Sequence, residues 1–488
     1  MKPGHHSLKI GWAEVEITPR QWPVCLDGQF YVRVAETAKD SLWATVWALE
    51  SGDENAIFIS CDLLLIPSEL LEEVRHRLGK DIPGGKLIIN ATHTHTGPML
   101  KEAGPLAGSL PAEDGLPKAV VPDDYRIWLA DRLATVITQA WNDRQPGGVA
   151  YGLDYAVVGR NRRWVNGGGE SFMYLTPNAK ESFLHVEGSE DSSLNLLAVY
   201  DADKKLTGLV VNLPCPAQKE ENGWQISADF WHETRRELRR RFGSNLFILP
   251  QCSVAGDLSP HLLYEQKAHD RMVALRGRTV REDIAHRIAD AVGRILPWLE
   301  PTINFSPTLR HAACLLDLPL NSLTRQDADE AAAAAATAQA RYEREREKLA
   351  QNPDLRQQPQ WWTEISKAWG LKEWNLRVVT RFDLQKTEKT LLAEVHVVRL
   401  GDVAFASNPF EYYLDYGQQI KVRTPAVQTF LVQLAGPGTY LPSLRSVQGG
   451  GYGSVPASNP VGPFGGQILA DYTVKTLRNL FENNPDYN

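Results

Sequence analysis

Two histidines whose spacing suits metal binding or acid–base chemistry, His93 and His95, stand in the segment NATHTHTGP at 90–98. The segment follows directly on the apolar run KLII at 86–89, which indicates a strand. In an extended backbone, side chains at i and i+2 point to the same side. The sequence therefore predicts that both imidazoles converge on one reacting centre or one metal ion, although histidines satisfied by neighbours remain the alternative for such a pair.

Three further apolar runs end in polar or titratable side chains. The runs are FILP (247–250), VAFAS (403–407) and TFLV (429–432). The side chains that follow them are, in the same order, Asp257 with Ser259, Glu411, and Tyr440. When several strands of an α/β sheet release polar residues beyond the same edge, that edge is the expected site.

Together these segments resemble the neutral, non-lysosomal ceramidase family. The matching segments are GWAEVEITP (11–19), HTHTGP (93–98), GDLSP (256–260), PFE (409–411) and YLP (440–442). The resemblance extends over most of the chain, from Ile10 to the final helix, but nothing between Leu323 and Leu376 matches. It implies an α/β, multi-layer catalytic domain with mixed sheets.

The resemblance also implies a zinc-dependent amidase. In such a site the metal polarises a carbonyl and lowers the pKa of a bound water toward ~7. Carried over residue by residue, His93 matches a zinc histidine, Glu411 the carboxylate ligand and Tyr440 a phenolate ligand. His95 matches a histidine that stands beside these ligands.

Four more residues match family residues that surround the reacting carbonyl and the metal. Arg162 matches an arginine that steadies the carbonyl oxygen and Tyr452 a tyrosine that faces it, so the two would form an oxyanion site. Asp257 and Ser259 match a signature loop that packs beside the metal. We interpret Ser259 as a positioning residue, because the chain lacks the G-x-S-x-G elbow of a serine nucleophile.

The chain departs from the family at Pro216, where the family carries a second zinc histidine. Either the three inherited groups and water hold the metal, or another side chain replaces the histidine, or no zinc binds. His232 and then Asp229 are the preferred replacements, ahead of Cys215, and Gln218 is a further candidate. Asp229 and His232 share one face at the start of a basic helix, where a helix-start hydrogen bond explains His232 equally well.

Composition limits the classes of partner and the compartment. A net charge of −7 over 488 residues disfavours nucleic acid and anionic membranes as the main partner. No apolar stretch approaches the ~20 residues that span a bilayer, and the start lacks a signal-peptide pattern. We expect a cytoplasmic protein, or an exported one whose leader has been removed, with five reduced and mostly buried cysteines. A homo-oligomer remains open.

The order of predicted elements indicates a single domain over residues 1–488 with a helical insert at 323–375. The insert begins with a capping-box-like segment from Thr324 to Asp327 and continues through an alanine-rich run. Its tryptophans either border a pocket or pack the insert onto the body or a partner subunit, and packing is the preferred interpretation. They are Trp361, Trp362, Trp369 and Trp374. The resemblance also implies a carboxy-terminal immunoglobulin-like domain in the family, for which we expect no counterpart after the final helix.

The sequence thus predicts a metal-dependent hydrolase that uses a zinc-activated water on an amide (N-acyl) or related bond. A small or polar substrate is expected instead of ceramide, in a polar and aromatic pocket built partly by residues 361–374. One alternative is a carbohydrate-active hydrolase or lyase acting on a uronate or amino sugar, which the 14 tryptophans favour. The other, which Pro216 supports, is a non-catalytic binding protein that has lost the metal.

Overall fold

A mixed eight-stranded sheet forms the centre of the computed structural model, which describes residues 7–100 and 122–482. The strands are β1 Lys9–Glu16, β2 Val24–Leu26, β3 Arg33–Ala35, β4 Trp43–Ser51, β5 Glu54–Cys61, β6 Leu87–Ala91, β7 Gln145–Tyr155, β8 Arg160–Asn161, β9 Arg163–Asn166, β10 Ser171–Met173, β11 Phe183–Val186, β12 Ser193–Asp201, β13 Leu206–Leu213, β14 Phe247–Cys252, β15 Leu258–Ser259, β16 Leu309–Pro319, β17 Thr390–Leu400, β18 Val403–Ser407, β19 Glu411–Tyr412, β20 Gln428–Val432 and β21 Tyr440–Leu441. The helices are α1 Ser68–Arg77, α2 Pro122–Asn142, α3 Phe230–Phe242, α4 Gln266–Leu275, α5 Val280–Ile295, α6 Arg325–Gln351, α7 Thr363–Leu384, α8 Leu414–Arg423, α9 Leu444–Gly449 and α10 Pro463–Glu482.

The large sheet has the strand order β14-β13-β12-β7-β1-β4-β5-β6. Its two outermost pairs, β13 with β14 and β5 with β6, are parallel, and the pairs between them are antiparallel. A second sheet has the order β16-β17-β18-β20 and ends in a parallel pair. This arrangement confirms the expected α/β class with mixed sheets.

The two sheets pack face to face, and helices cover their outer faces. Alternation along β4 shows the layering, because Val46 faces the core beneath α1 and α2 while Trp47 faces the second sheet. Between the sheets, Phe58 lies 4.9 Å from Phe405 and Phe405 lies 4.6 Å from Phe430, measured between ring centroids. Helices α3 and α5 cover the other half of the large sheet, and α8 and α10 pack beside the second sheet. The molecule is therefore multi-layered.

The insert between β16 and β17 is a pair of helices, α6 and α7, that pack on each other. Thr324 and Asp327 form the expected capping box at the start of α6. Helix α7 continues to Leu384, beyond the range 323–375 expected for the insert. Trp362 attaches the insert to the body, since its indole N–H donates to the carbonyl of Val32 at 2.9 Å.

Two further features concern compartment and partners. None of the helices in the described ranges is long and apolar enough to cross a membrane. All five cysteines lie within those ranges and are free thiols, and three of them are buried: Cys61, Cys215 and Cys252.

Candidate functional site

The two histidines lie beyond β6, but not on extended backbone. The strand ends at Ala91, and His93 has a φ of 66°, in the left-handed region that residues other than glycine rarely adopt. The backbone is held there because the N–H of Thr92 bonds to the carbonyl of Cys61, the last residue of β5, and the N–H of Thr94 bonds to the carbonyl of Leu63. The expectation of a shared side of an extended strand is therefore wrong for this segment. The rings nevertheless meet edge to face, with centroids 4.9 Å apart.

His93 faces Glu411 across the junction of the two sheets. Its Nδ1 atom lies 2.8 Å from the carbonyl oxygen of Leu64, and its Nε2 atom lies 3.3 Å from Oε2 of Glu411. Burial opposes ionisation of Glu411, but His93, Arg162 and Tyr440 together hold the pKa of this carboxyl below its ordinary value. The two side chains therefore form an imidazole–carboxylate pair.

Tyr440 is held beside this pair by backbone register. Strands β19 and β21 pair in parallel with Glu411 opposite Tyr440, so the two side chains emerge together. The Tyr440 hydroxyl lies 3.1 Å from Nη2 of Arg162, the same atom that lies 3.6 Å from Oε2 of Glu411, and its ring lies 5.4 Å from that of Tyr452 between centroids. Burial raises the pKa of Tyr440 well above its ordinary value, although the nearby Arg162 opposes the shift.

Arg162 places a buried cation next to the phenol and the carboxylate. Its Nη2 atom lies 3.1 Å from the Tyr440 hydroxyl and 3.6 Å from Oε2 of Glu411, and it donates to the carbonyl of Gly256 at 2.8 Å. Its Nη1 atom donates to Gln218 at 3.1 Å and to Tyr174 at 3.0 Å. These contacts fix the guanidinium plane, as an electrostatic role requires.

Gln218 connects Arg162 to His95. Its Nε2 atom lies 2.5 Å from Nε2 of His95, while its amide oxygen accepts from Arg162. Burial, reinforced by the neighbouring His93, Arg33 and Arg162, lowers the pKa of His95 well below its ordinary value, so the ring is neutral. The sequence identified Gln218 only as one of several candidates, because nothing in its spacing marks this bridging role.

Asp257 and Ser259 make hydrogen bonds to backbone groups around the site. Asp257 accepts from the backbone N–H of Leu414 at 2.9 Å, and its own carbonyl accepts from the N–H of Arg162 at 3.0 Å. Ser259 accepts from the N–H of His261 at 3.2 Å. Both residues are buried, and burial raises the pKa of Asp257 to about 6. Their bonds are those of positioning residues.

The structure does not bring Asp229 and His232 into this cluster. Asp229 is the N-cap of α3, and its two carboxylate oxygens accept from the backbone N–H groups of Phe230 and Glu220, each at 2.6 Å. Neither Asp229 nor His232 lines the cavity above His93. A helix cap accounts for Asp229, and Cys215, the third candidate replacement, is buried in the core beneath α3 and α5.

A cavity of about 480 Å³ opens above the His93–Glu411 pair. Its polar and charged wall includes Asp27, Glu69, His95, Arg377 and Ser68, and its aromatic wall consists of Phe30, Trp374, Tyr440 and Tyr452. The expectation that the insert helps to build the pocket is confirmed for Trp374. By contrast, the other three insert tryptophans pack within the insert and against the body. Sequence analysis missed Phe30, Asp27 and Arg377, which carry no motif.

The donors around His93 fit a divalent metal ion with three protein ligands. A metal-bound histidine typically uses its other ring nitrogen for a backbone carbonyl, as His93 does with Leu64. Its Nε2 atom is left facing the Glu411 carboxylate, and the pairing of β19 with β21 places Tyr440 opposite Glu411. Within residues 7–100 and 122–482 no three His, Cys, Asp or Glu side chains converge for metal binding. A third protein ligand at this site would therefore have to be the phenol of Tyr440, which pairs with Glu411 in strand register.

Comparison with known proteins identifies the fold. No family model and no curated protein matches the sequence. A crystal structure of neutral ceramidase from Pseudomonas aeruginosa matches with a TM-score of 0.66 at 15% identity, over 98% of this chain and 75% of that chain. A ceramidase complexed with C2 matches with a TM-score of 0.67 at 15% identity, over 98% of this chain and 76% of that chain. The chain therefore has a neutral-ceramidase-like fold.

Proposed function

We propose that this protein is a metal-dependent hydrolase that cleaves an amide (N-acyl) or related bond of a small or polar substrate. The observation that carries the proposal is the approach of His93 Nε2 to Glu411 Oε2 at 3.3 Å, with Nδ1 of the same ring engaged by Leu64. His93, Glu411 and Tyr440 are the proposed ligands, and zinc is the proposed metal. The neutral-ceramidase-like fold supports the same assignment.

When bound, zinc would supply a water of lowered pKa, toward ~7, and polarise the substrate carbonyl. Arg162 would stabilise negative charge on the carbonyl oxygen, because its guanidinium is held rigidly beside Tyr440. Tyr452 lines the cavity and would donate its hydroxyl to the same oxygen. In the net reaction the C–N bond breaks, the hydroxyl of water joins the acyl carbon, and a proton joins the leaving nitrogen.

The remaining site residues would hold this arrangement in place. His95 is neutral and is bonded to Gln218, so it would keep Gln218 and thereby Arg162 in position. Asp257 would hold the backbone of Arg162 through its carbonyl, and Ser259 would fix the β8–β15 strand pair that immediately precedes Arg162. Substitution of His95, Asp257 or Ser259 should therefore reduce turnover by displacing Arg162, without loss of metal.

The cavity walls support a small or polar substrate. Binding two long hydrocarbon chains requires an apolar groove. Such a groove contributes ~25 cal/mol to the binding free energy for every Å² of apolar surface removed from water. Here charged side chains and aromatic rings interrupt the aliphatic part of the wall, to which Leu64, Leu65 and Met99 contribute. Ceramide is therefore expected to be a poor substrate.

Metal analysis tests the proposal directly. Purified protein is loaded with zinc, dialysed and analysed by inductively coupled plasma mass spectrometry, with melting temperatures recorded to verify folding. We expect about one zinc per chain in the wild type, and loss of zinc in His93→Ala and Glu411→Gln. His76→Ala, at an exposed position on α1, is the matched control and should keep its zinc.

Two results would overturn the proposal: a folded wild type that retains no zinc, or a His93→Ala variant that retains all of it. The first result would favour the alternative of a non-catalytic binding protein.

A further inference from the structure

The aromatic wall of the cavity forms a continuous series from the insert to the metal ligands. The ring of Phe30 lies 5.4 Å from that of Trp374 and 5.7 Å from that of Tyr452, measured between centroids. Tyr452 in turn lies 5.4 Å from Tyr440. Aromatic faces of this kind suit the apolar face of a planar or sugar-like ring. The series therefore places a ring-binding surface next to Glu411.

Arg377 adds a cation to the wall beside Trp374, whose ring also lies 6.0 Å from that of Tyr452 between centroids. It follows Trp374 by three positions on α7, so both side chains share one face of the helix and line the cavity. Within the described residues, no hydrogen bond or ion pair engages the exposed guanidinium. The acidic residue that acts on it, Glu373, is itself paired with Lys372 at 3.0 Å.

The cavity also determines where an anion can lie. Asp27 and Glu69 line other parts of the cavity, where their carboxylate oxygens can accept hydrogen bonds from hydroxyl groups of a ligand. On the wall beside Trp374, Arg377 is the side chain suited to an anionic substituent, because its planar fork matches a carboxylate in bidentate geometry.

We propose that Trp374 and Arg377 recognise a polar, sugar-like ring that bears a carboxylate, with the ring against the aromatic wall and the carboxylate on the guanidinium. A cavity of about 480 Å³ is large enough for such a ligand. The inference rests on the proposed function for the identity of the bond that is cleaved, whereas binding of the ring does not depend on the metal.

Calorimetric titration of the full chain with two matched tetrasaccharides tests the proposal. One alternates glucuronate with N-acetylglucosamine, and the other is the neutral tetramer of N-acetylglucosamine. Both carry N-acyl groups, and only the first is anionic. We expect the acidic tetrasaccharide to bind about 10-fold or more tightly than the neutral one, and the preference to fall as salt concentration rises.

Variants assign the preference to particular residues. Arg377→Gln should abolish the preference by weakening the acidic sugar more than the neutral one, whereas Trp374→Ala should weaken binding of both sugars. Arg344→Gln, at an exposed position on α6, is the control and should bind like the wild type. Equal affinity for the two sugars, an unchanged preference in Arg377→Gln, or no binding of the acidic sugar at millimolar concentration would overturn the inference.

Zinc content measured on the same samples separates this inference from the proposed function. A protein without zinc that keeps the acidic-sugar preference contradicts the proposed function alone. A zinc-loaded hydrolase without the preference contradicts this inference alone.

Discussion

The Nε2 atom of Gln218 lies 2.5 Å from the Nε2 atom of His95, and the amide oxygen of Gln218 accepts a hydrogen bond from Arg162. Gln218 stands two residues after Pro216, at which the resemblance places a histidine ligand. The loop therefore still reaches the polar cluster, but through a neutral amide that connects two side chains. An amide in this position orients its neighbours instead of contributing an imidazole ligand.

Replacing Gln218 with Ala should lower the free energy of unfolding by ~1–3 kcal/mol, because buried polar groups of His95 and Arg162 lose their partner. Denaturant titration measures the change. Gln225→Ala is the control, because the amide of Gln225 makes an exposed hydrogen bond to Thr37 and its loss should have little effect. Equal destabilisation by the two substitutions would contradict a special role for Gln218.

Replacing Pro216 with His should raise zinc affinity by roughly 10-fold or more, because an imidazole would join the three proposed ligands. Position 216 is close to them, since the N–H of Ala217 donates to the carbonyl of Thr92, the residue before His93, at 3.1 Å. Competition with a chelator measures the dissociation constant. Pro216→Ala separates loss of the proline from gain of the imidazole, and equal affinities of the two variants would refute the prediction.

The strand exits were predictable from sequence, whereas their exact contacts were not. Glu411 and Tyr440 follow apolar runs that any buried strand requires, so the shared edge could be inferred from local pattern. The φ of His93 depends on hydrogen bonds to the backbone at the end of β5 and just beyond it, which are distant in sequence. Similarly, the cap formed by Asp229 depends on the N–H of Glu220, a tertiary contact that spacing alone does not reveal.

The tryptophans of the insert also show that tertiary contacts cannot be predicted from sequence pattern. Trp362 and Trp374 are chemically alike and lie close together in sequence, yet one bonds to Val32 and the other lines the cavity. Which face of α7 meets the body depends on how the helix pair docks, and that docking is set by contacts outside the insert. Composition could therefore predict an aromatic pocket but not which ring would form it.

Replacing Gly256 with Ala should lower the free energy of unfolding by ~2 kcal/mol or more and disturb the site. An added Cβ would lie 2.3 Å from the carbonyl oxygen of Glu411, a backbone atom that cannot easily move aside. The Gly256 carbonyl also accepts from Arg162, so both groups should shift. Thermal unfolding and zinc retention measure the effect. Gly85→Ala is the control, since no atom lies within 4 Å of its added Cβ; an equal loss in that variant would contradict the steric explanation.

A buried chain of titratable groups on the second sheet should make the fold sensitive to acid. His311 Nε2 lies 3.0 Å from Nδ1 of His396, whose Nε2 lies 2.8 Å from Glu394, and Glu394 also pairs with Arg75. Burial, with His396 and Lys86, lowers the pKa of His311 from 6.5 to about 3. Burial opposes ionisation of Glu394, but His396 and Arg75 lower its pKa from 4.5 to about 2.

The lowered pKa values of His311 and Glu394 both make the folded state less stable as the pH falls. Each group has a lower pKa in the folded state than in the unfolded chain, so the unfolded chain takes up the proton first as the pH falls. The contribution of His311 is therefore present above pH 6.5 and is lost as the pH falls toward about 3. That of Glu394 is present above pH 4.5 and is lost toward about pH 2.

Unfolding measured against pH in two variants separates these windows. His311→Asn should flatten the decline in stability between about pH 6.5 and 4.5, where His311 alone of the two groups titrates in the unfolded chain. Glu394→Gln should flatten the decline between about pH 4.5 and 2. His76→Asn, at an exposed position, should follow the wild type throughout. If His311→Asn kept the wild-type slope above pH 4.5, the acid sensitivity would have to arise from groups outside this chain of contacts.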